Sequence, residues 1–145
     1  MRVERAGRAD LPAIEALLTA ADLPLEGAAA AFTSGVVARE DGRIVAAAAI
    51  EPYGRAGLLR SVVVAADRRG TGVGRAIVRA AEALAGELAL TELYLLTETA
   101  EDWFPRLGYS PVGRAEVPSA VRGSIEFSTL CADTGVAMRR ALSPA

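Results

Sequence analysis

The chain has no histidine, no lysine and a single cysteine in 145 residues. Each absence removes a class of chemistry. Without histidine, the commonest general base and the commonest metal ligand are gone. With Cys131 alone beside it, a zinc site has no ligand set. Cys131 has no partner for a disulfide, which fits a reducing cytoplasm. It also has no imidazole to activate it, so it reads as a small core residue and not a nucleophile. Long apolar runs are missing too. The longest, Ile44 to Ile50, is far too short to span a bilayer. The first ten residues, MRVERAGRAD, lack the apolar stretch of a secretory signal. Strong charge of one sign is also lacking. The 16 cationic residues, all arginine, nearly balance 18 acidic ones, and a net charge of −2 gives no global pull toward nucleic acid. Apolar residues make up 52%, enough to bury a core. These features predict one cytoplasmic domain over residues 1–145, with no metal, no membrane contact and no nucleic-acid partner.

The pattern along the chain predicts an α+β fold with a mixed sheet. RVERA (Arg2–Ala6) alternates like a short strand. Asp10 and Pro12 mark a helix start, and Leu11, Ile14, Leu17 and Leu18 continue at helical spacing to about Ala21. A loop and a short helix fit DLPLEGAAAAF. Then GVVARE and RIVAAAAIE flank Asp41 and Gly42, a hairpin pair. A second turn, PYGRAG, leads into the strand LLRSVVVA, completing a meander. Beyond it, Val73, Ile77, Ala80, Leu84 and Leu88 line one face of an amphipathic helix. The apolar strand ELYLLTE follows this crossover and should lie parallel to the strand before the helix. A short helix ending at Gly108 and two last strands, in YSPVGRA and GVAMRR, complete the order.

The most informative stretch is VVVAADRRGTGVGRA, Val62 to Ala76. Its glycines, Gly70, Gly72 and Gly74, fall at every second position between a strand and a helix. The dinucleotide fingerprint G-x-G-x-x-G fails, because the sixth position holds Arg75 or Ile77. The triphosphate loop fails for want of lysine and a following Ser or Thr. A plain turn would not repay the backbone entropy of three glycines at a helix start. What fits is a loop whose N–H groups face an anion at a helix N-terminus. Residues 60–79 hold Arg60, Arg68, Arg69, Arg75 and Arg79 against Asp67 alone, a local charge of +4.

Arg69-Gly70-Thr71-Gly72-Val73-Gly74 resembles the R-x-x-G-x-G/A motif of the GNAT family of N-acetyltransferases. TETAEDWFPRLGY resembles the family's N-x-x-A-x-x-F-Y-x-x-x-G-F segment, at the right spacing and in the right order. The resemblance covers about residues 35–140. It implies a mixed, mostly antiparallel sheet flanked by helices, with acetyl-CoA as co-substrate. By carry-over, Val62, Val63 and Val64 would lie along the pantetheine arm, with Ala100, Trp103 and Phe104 on its other side. Arg69 to Gly74 would hold the pyrophosphate, and Arg68 and Arg75 the remaining phosphates. The family also allows a homodimer through the C-terminal strands. VPSAVRGSIEFSTLCADTGVAMRR is similar to the arsenic-resistance branch of the family, which implies a small amine, such as an amino acid or an arsenic or phosphorus analogue of one.

Two groups expected from the family are missing. Phe104 stands where many members have a tyrosine that protonates the leaving thiolate. GLLRS (Gly57–Ser61) has no glutamate where a general base is often found. A lysine-type amine, with a pKa of about 10.4, is neutral in roughly one molecule in 10³ near pH 7. A peptide α-amine is neutral in about 10%, at a cost of about 1.4 kcal/mol. A free amino acid lies between, so the weak base set favours a small α-amine over a protein lysine. A peptide N-terminus or lysine as acceptor is the second reading, and the acids of residues 87–102 could draw such a cation. The third is a CoA-binding regulatory module without catalysis.

Three acids could accept the proton. Glu98 ends the ELYLLTE strand where the sheet should open, or serves the start of the following helix. Glu126 lies in GSIEF, which would cover the site, or is solvated. Glu51 ends a strand and is expected to face solvent. Ser61 could donate to the thioester or the substrate. Arg60 interrupts an apolar run, and a buried arginine needs a partner. A substrate carboxylate, phosphinate or arsinate is one candidate. An internal ion pair with Glu98 or Glu126 is the other. Arg122 is a second candidate anion site, and Trp103 a candidate wall of the acyl pocket.

Overall fold

The computed structural model describes residues 1–130 and 135–142, with Thr129 and Leu130 described by backbone alone, so Cys131 lies outside the described residues. Strand β1 spans Arg2–Arg5, and helix α1, Leu11–Ala20, starts where Pro12 fits the first turn. A four-residue helix, α2 (Ala28–Ala31), precedes β2 (Gly35–Glu40). Strands β3 (Arg43–Tyr53) and β4 (Ala56–Val64) complete the meander. Asp41 at φ 51° and Gly42 at φ 77° form the left-handed pair that lets β2 turn tightly into β3. Helix α3 (Val73–Glu87) crosses to β5 (Glu92–Thr97). A 3₁₀ turn over Phe104–Leu107 ends at Gly108, with φ 97°, and β6 (Ser110–Pro111) follows. A short helix, α4 (Ser119–Arg122), and a π-helical turn (Glu126–Leu130) precede β7 (Val136–Ala141).

The strands form one sheet in the order β1-β2-β3-β4-β5-β7-β6. Every pair is antiparallel except β4 with β5, which the helical crossover makes parallel as expected. Strand alternation divides the core. Ala46, Ala48 and Ile50 of β3 pack with Ile77, Val78, Ala81 and Leu84 of α3. Ala47 and Ala49 point the other way, to Ile14, Leu18 and Ala28. On the β4–β5 half of the sheet, Leu58, Tyr94 and Leu96 pack with Val121 and Phe127.

Two irregularities of β4 shape the site. The first is a bulge. Ala49 pairs with Arg60 and Ala47 with Val63, so Ser61 and Val62 both stand opposite Ala48. Ser61 takes up the extra residue at φ 55°. The bulge shifts the alternation, so that Leu59, Val62 and Val64 share the α3 side. The second is divergence. The β4–β5 ladder covers only Ala56–Leu58 against Glu92–Tyr94, and from Leu59 onward the strands part. Gly57 sits at this crossing because a Cβ there would come within 2.6 Å of Leu90 and 2.9 Å of Leu93. Among the described residues, no helix is long and apolar enough to cross a membrane.

Candidate active site

The parting of β4 and β5 opens a cleft of about 1090 Å³. One end lies at the glycine loop. Gly70 and Gly72 have φ of 78° and 89°, which only glycine adopts cheaply, and Gly72 is the N-cap of α3. The helix N-terminus and its unpaired N–H groups therefore meet the cleft. Gly74 is present for another reason. A Cβ there would stand 3.0 Å from Trp103 Cζ2 and 3.4 Å from Val64, so the glycine lets the indole close on the strand.

The local excess of arginine is smaller in three dimensions than in sequence. Arg68 is engaged by Glu40 and Asp67, Arg79 by Glu82 at 2.8 Å, and Arg60 by Glu51 at 3.0 Å. Arg69 and Arg75 remain on the cleft wall, joined by Arg106 from the 3₁₀ turn. Arg68 is therefore turned to Glu40, away from the cleft that its expected phosphate role requires. Thr71 donates its hydroxyl to the Arg68 carbonyl, and the Val73 side chain is in the core. Neither side chain lines the cleft, although their backbone belongs to the loop.

The middle of the cleft is the bulged strand. Val62, Val63, Val64 and Ser61 line it on one side, with Thr97, Glu98, Ala100, Trp103 and Phe104 opposite. Trp103 and Phe104 stack edge-on at 4.9 Å, and Phe104 packs likewise on Tyr109. The Tyr109 hydroxyl is turned away, donating to Glu82 at 2.8 Å. It cannot replace the tyrosine that Phe104 lacks. The Ala100 N–H is held by Thr97 Oγ1 at 3.0 Å.

The far end lies between the 21–26 loop and the segment carrying Glu126. Glu126 is 7% exposed, and its Oε2 is buried with no hydrogen-bond partner among the described residues. Burial pushes its pKa up to about 7, with Arg60 pulling it down and Glu51 adding to the rise. A carboxyl held in this range suits proton exchange near neutrality, and Glu126 is among the residues that line this end of the cleft. Glu98 is exposed on the cleft wall at the end of β5. Arg122 is exposed on α4 and does not line the cleft, so the structure does not bring it to the other candidates.

Arg60 is buried, with its side chain 1% exposed. It donates Nη1 to Glu51 Oε2 at 3.0 Å, Nη2 to the Glu26 carbonyl at 2.8 Å and Nε to Ser61 Oγ at 3.1 Å. The internal ion pair exists, but its acid is Glu51 and not Glu98 or Glu126. Glu51 does not face solvent as expected. It also accepts from Tyr53 at 2.6 Å, and burial and this carboxylate push the Tyr53 pKa up to about 12. The PYGRAG turn held the signal for this pair. Counting back from a two-residue loop, Gly54-Arg55, sets Glu51 opposite Leu58, one step along the same face from Arg60. Arg106 carried no such signal, because only the fold of residues 97–108 brings it to the cleft.

A family profile described as an acetyltransferase (GNAT) domain matches residues 32–111. The chain is 36% identical over 75 residues to an amino-acid acetyltransferase of Ralstonia nicotianae, covering 50% of this chain and 17% of that protein. A second amino-acid acetyltransferase, from Azotobacter vinelandii, is 35% identical over 86 residues, 58% of this chain and 20% of the other. The chain thus spans about a fifth or less of the length of these relatives. In three dimensions it superposes on N-acetylglutamate synthase from Neisseria gonorrhoeae, complexed with coenzyme A and N-acetyl-glutamate. The TM-score is 0.85 at 17% identity, over 98% of this chain and 35% of that one. With a family match over more than half its residues and the same mixed open sheet, the chain belongs to the GNAT family of acetyltransferases.

Proposed function

We propose that residues 1–145 form one domain that transfers acetyl from acetyl-CoA to the amine of a small molecule of amino-acid type. The observation that carries this reading is the buried Oε2 of Glu126, without a hydrogen-bond partner among the described residues, at one end of the cleft whose other end is the glycine loop. The residues suit the donor. Positive-φ glycines, the α3 N-terminus, Arg69, Arg75 and Arg106 suit a pyrophosphate, and the channel between Val62–Val64 and Ala100–Phe104 suits the pantetheine arm. Acetyl-CoA would supply the activated thioester carbonyl. The two relatives named amino-acid acetyltransferases support an amino acid as acceptor.

In this scheme the Glu126 carboxylate accepts a proton from the acceptor ammonium. The freed amine nitrogen bonds to the thioester carbon, the nitrogen's second proton passes to water, and the carbon–sulfur bond breaks to leave the amide and the thiolate. The β4 edge opposite β5, unpaired from Leu59 onward, offers backbone N–H groups to the developing oxyanion. Phe104 gives no proton to the departing thiolate. A thiol of pKa about 8.5 leaves well enough to take one from water. Ser61 serves as the acceptor for Arg60 and so shapes the bulge, and Glu98 is a second acid able to relay protons through water. Arsenic- or phosphorus-bearing amino-acid analogues carry the same amine and are further acceptor candidates, but Arg60, whose donors serve Glu51, Glu26 and Ser61, is not free to hold their anionic group.

The test is thiol release from acetyl-CoA with free amino acids, phosphinothricin-like analogues and a short peptide with a free N-terminus. Acetylation of free amino acids is expected, with kcat lowered about 10²- to 10⁴-fold in Glu126→Gln. A preference for the peptide would favour a protein acceptor, for which Asp22, Glu26 and Glu98 on the cleft wall are suitably charged. CoA binding without transfer to any of them would leave a regulatory module.

A further inference from the structure

The acceptor end is tied together by hydrogen bonds that converge on Glu51 and Arg60 and by the packing of Tyr53. Tyr53 packs on the cluster that holds Val121 and Phe127, which flank Glu126, and it donates to Glu51 Oε1 at 2.6 Å. Glu51 Oε2 receives Arg60 Nη1 at 3.0 Å. The same guanidinium reaches the Glu26 carbonyl at 2.8 Å and Ser61 Oγ at 3.1 Å. Four separate segments therefore meet: the arm that carries Glu126, strand β3, the β4 bulge and the 21–27 loop. Gly27 makes the passage possible. Its φ is 77°, and a Cβ there would stand 2.9 Å from Arg60 Nη1. Glu51 does not line the cleft, yet both walls of the acceptor end depend on its two oxygens.

We propose that Glu51 is a positioning residue for acetyl transfer, setting the β4 bulge and Glu126 in register by holding Arg60 with one oxygen and Tyr53 with the other. The proposal rests on the acetyltransferase reading above. Its geometric part is simple. Ser61 at φ 55° is an unfavourable conformation for a non-glycine residue, and the guanidinium hydrogen bond supports it. Its electrostatic part is a balance around Glu126. Arg60 on β4 favours the ionised form, while Glu51 on β3 opposes it. Tyr53 on β3 is un-ionised near neutrality, and the acids Glu26 and Glu98 line the same cleft. Glu51 cancels part of the Arg60 field and keeps Glu126 basic enough to take a proton.

The experiment is Glu51→Gln in the full chain, read in two ways. In the transfer assay, kcat should fall about tenfold or more while the KM for acetyl-CoA stays within about twofold, since the donor end is untouched. In a ¹³C titration of the glutamate carboxyls, with Glu126→Gln used for assignment, the Glu126 midpoint should move to lower pH. That shift would also carry the acidic limb of the pH–rate profile downward. An unchanged kcat together with an unmoved midpoint overturns the proposal. If Glu51→Gln does not fold, Tyr53→Phe removes the hydroxyl that Glu51 holds while sparing the buried ion pair. It should lower kcat with the acetyl-CoA KM unchanged, and a wild-type kcat would overturn the proposal. Wild-type protein with no transfer at all would sink the acetyltransferase reading instead, while the carboxyl titration would still decide the role of Glu51.

Discussion

Arg60 is paired across the β3–β4 ladder with Glu51, its diagonal neighbour on the same face, at 3.0 Å. The guanidinium has carbonyl and hydroxyl partners as well, so it forms a satisfied structural hub. Burying such a pair brings little net stability, but breaking it strands a charge.

Arg60→Ala is therefore expected to cost about 3–5 kcal/mol, because it leaves the Glu51 carboxylate half-buried without its cation. Urea denaturation measures this. Double replacement with Glu51→Leu should recover much of the loss, since both charges then leave together. A single variant that unfolds at the wild-type midpoint would contradict the hub.

Glu126→Gln should separate stability from activity. The folded-state pKa of Glu126 is raised to about 7, from an ordinary value near 4.5. A raised carboxyl favours the folded state fully below its unfolded pKa, and this contribution is lost as pH rises through about 7. Thermal melts of wild type and variant should thus converge near pH 4.5, move apart between pH 4.5 and 7 and stay apart above it, with the glutamine form the more stable. Equal melting temperatures at pH 8 would mean that Glu126 is not desolvated.

Two arginines should part company in CoA binding. Arg106→Ala removes a cation from the cleft wall and should weaken CoA about tenfold or more, a charged hydrogen bond being worth about 1.5–3 kcal/mol. Arg68→Ala should leave CoA affinity within about twofold, because its guanidinium serves Glu40 and Asp67. Isothermal titration at two salt concentrations tests both, and the Arg106 contribution should shrink at high salt.

Gly72→Ala should cost about 1 kcal/mol of stability through its left-handed φ of 89°. It should also raise the KM for acetyl-CoA, since relaxing that φ moves the first N–H groups of α3. Gly74→Ala should act differently, pushing Trp103 outward and changing its fluorescence. A CoA affinity unaffected by Gly72→Ala would count against the loop as the anion site.

The sequence by itself determined most of the architecture and one half of the site. Apolar periods of two and about 3.6 residues, the Asp41-Gly42 turn and the helical crossover are local or nearly local signals, and they set strands, helices and the parallel β4–β5 pair. The glycine loop was legible for the same reason, since positive φ at Gly70 and Gly72 is demanded within a few residues. The acceptor end was not, because it depends on register. The bulge at Ser61 reverses the alternation of β4, so a strict period of two misplaces Val62 and Val64. Which acid meets Arg60 follows from pairing across the ladder, and which arginines keep their charge for the cleft follows from partners such as Glu40, 28 residues from Arg68. The proton affinity of Glu126 was decided last of all. It comes from burial beneath a chain segment with no clear period, and desolvation is a property of the packed tertiary structure.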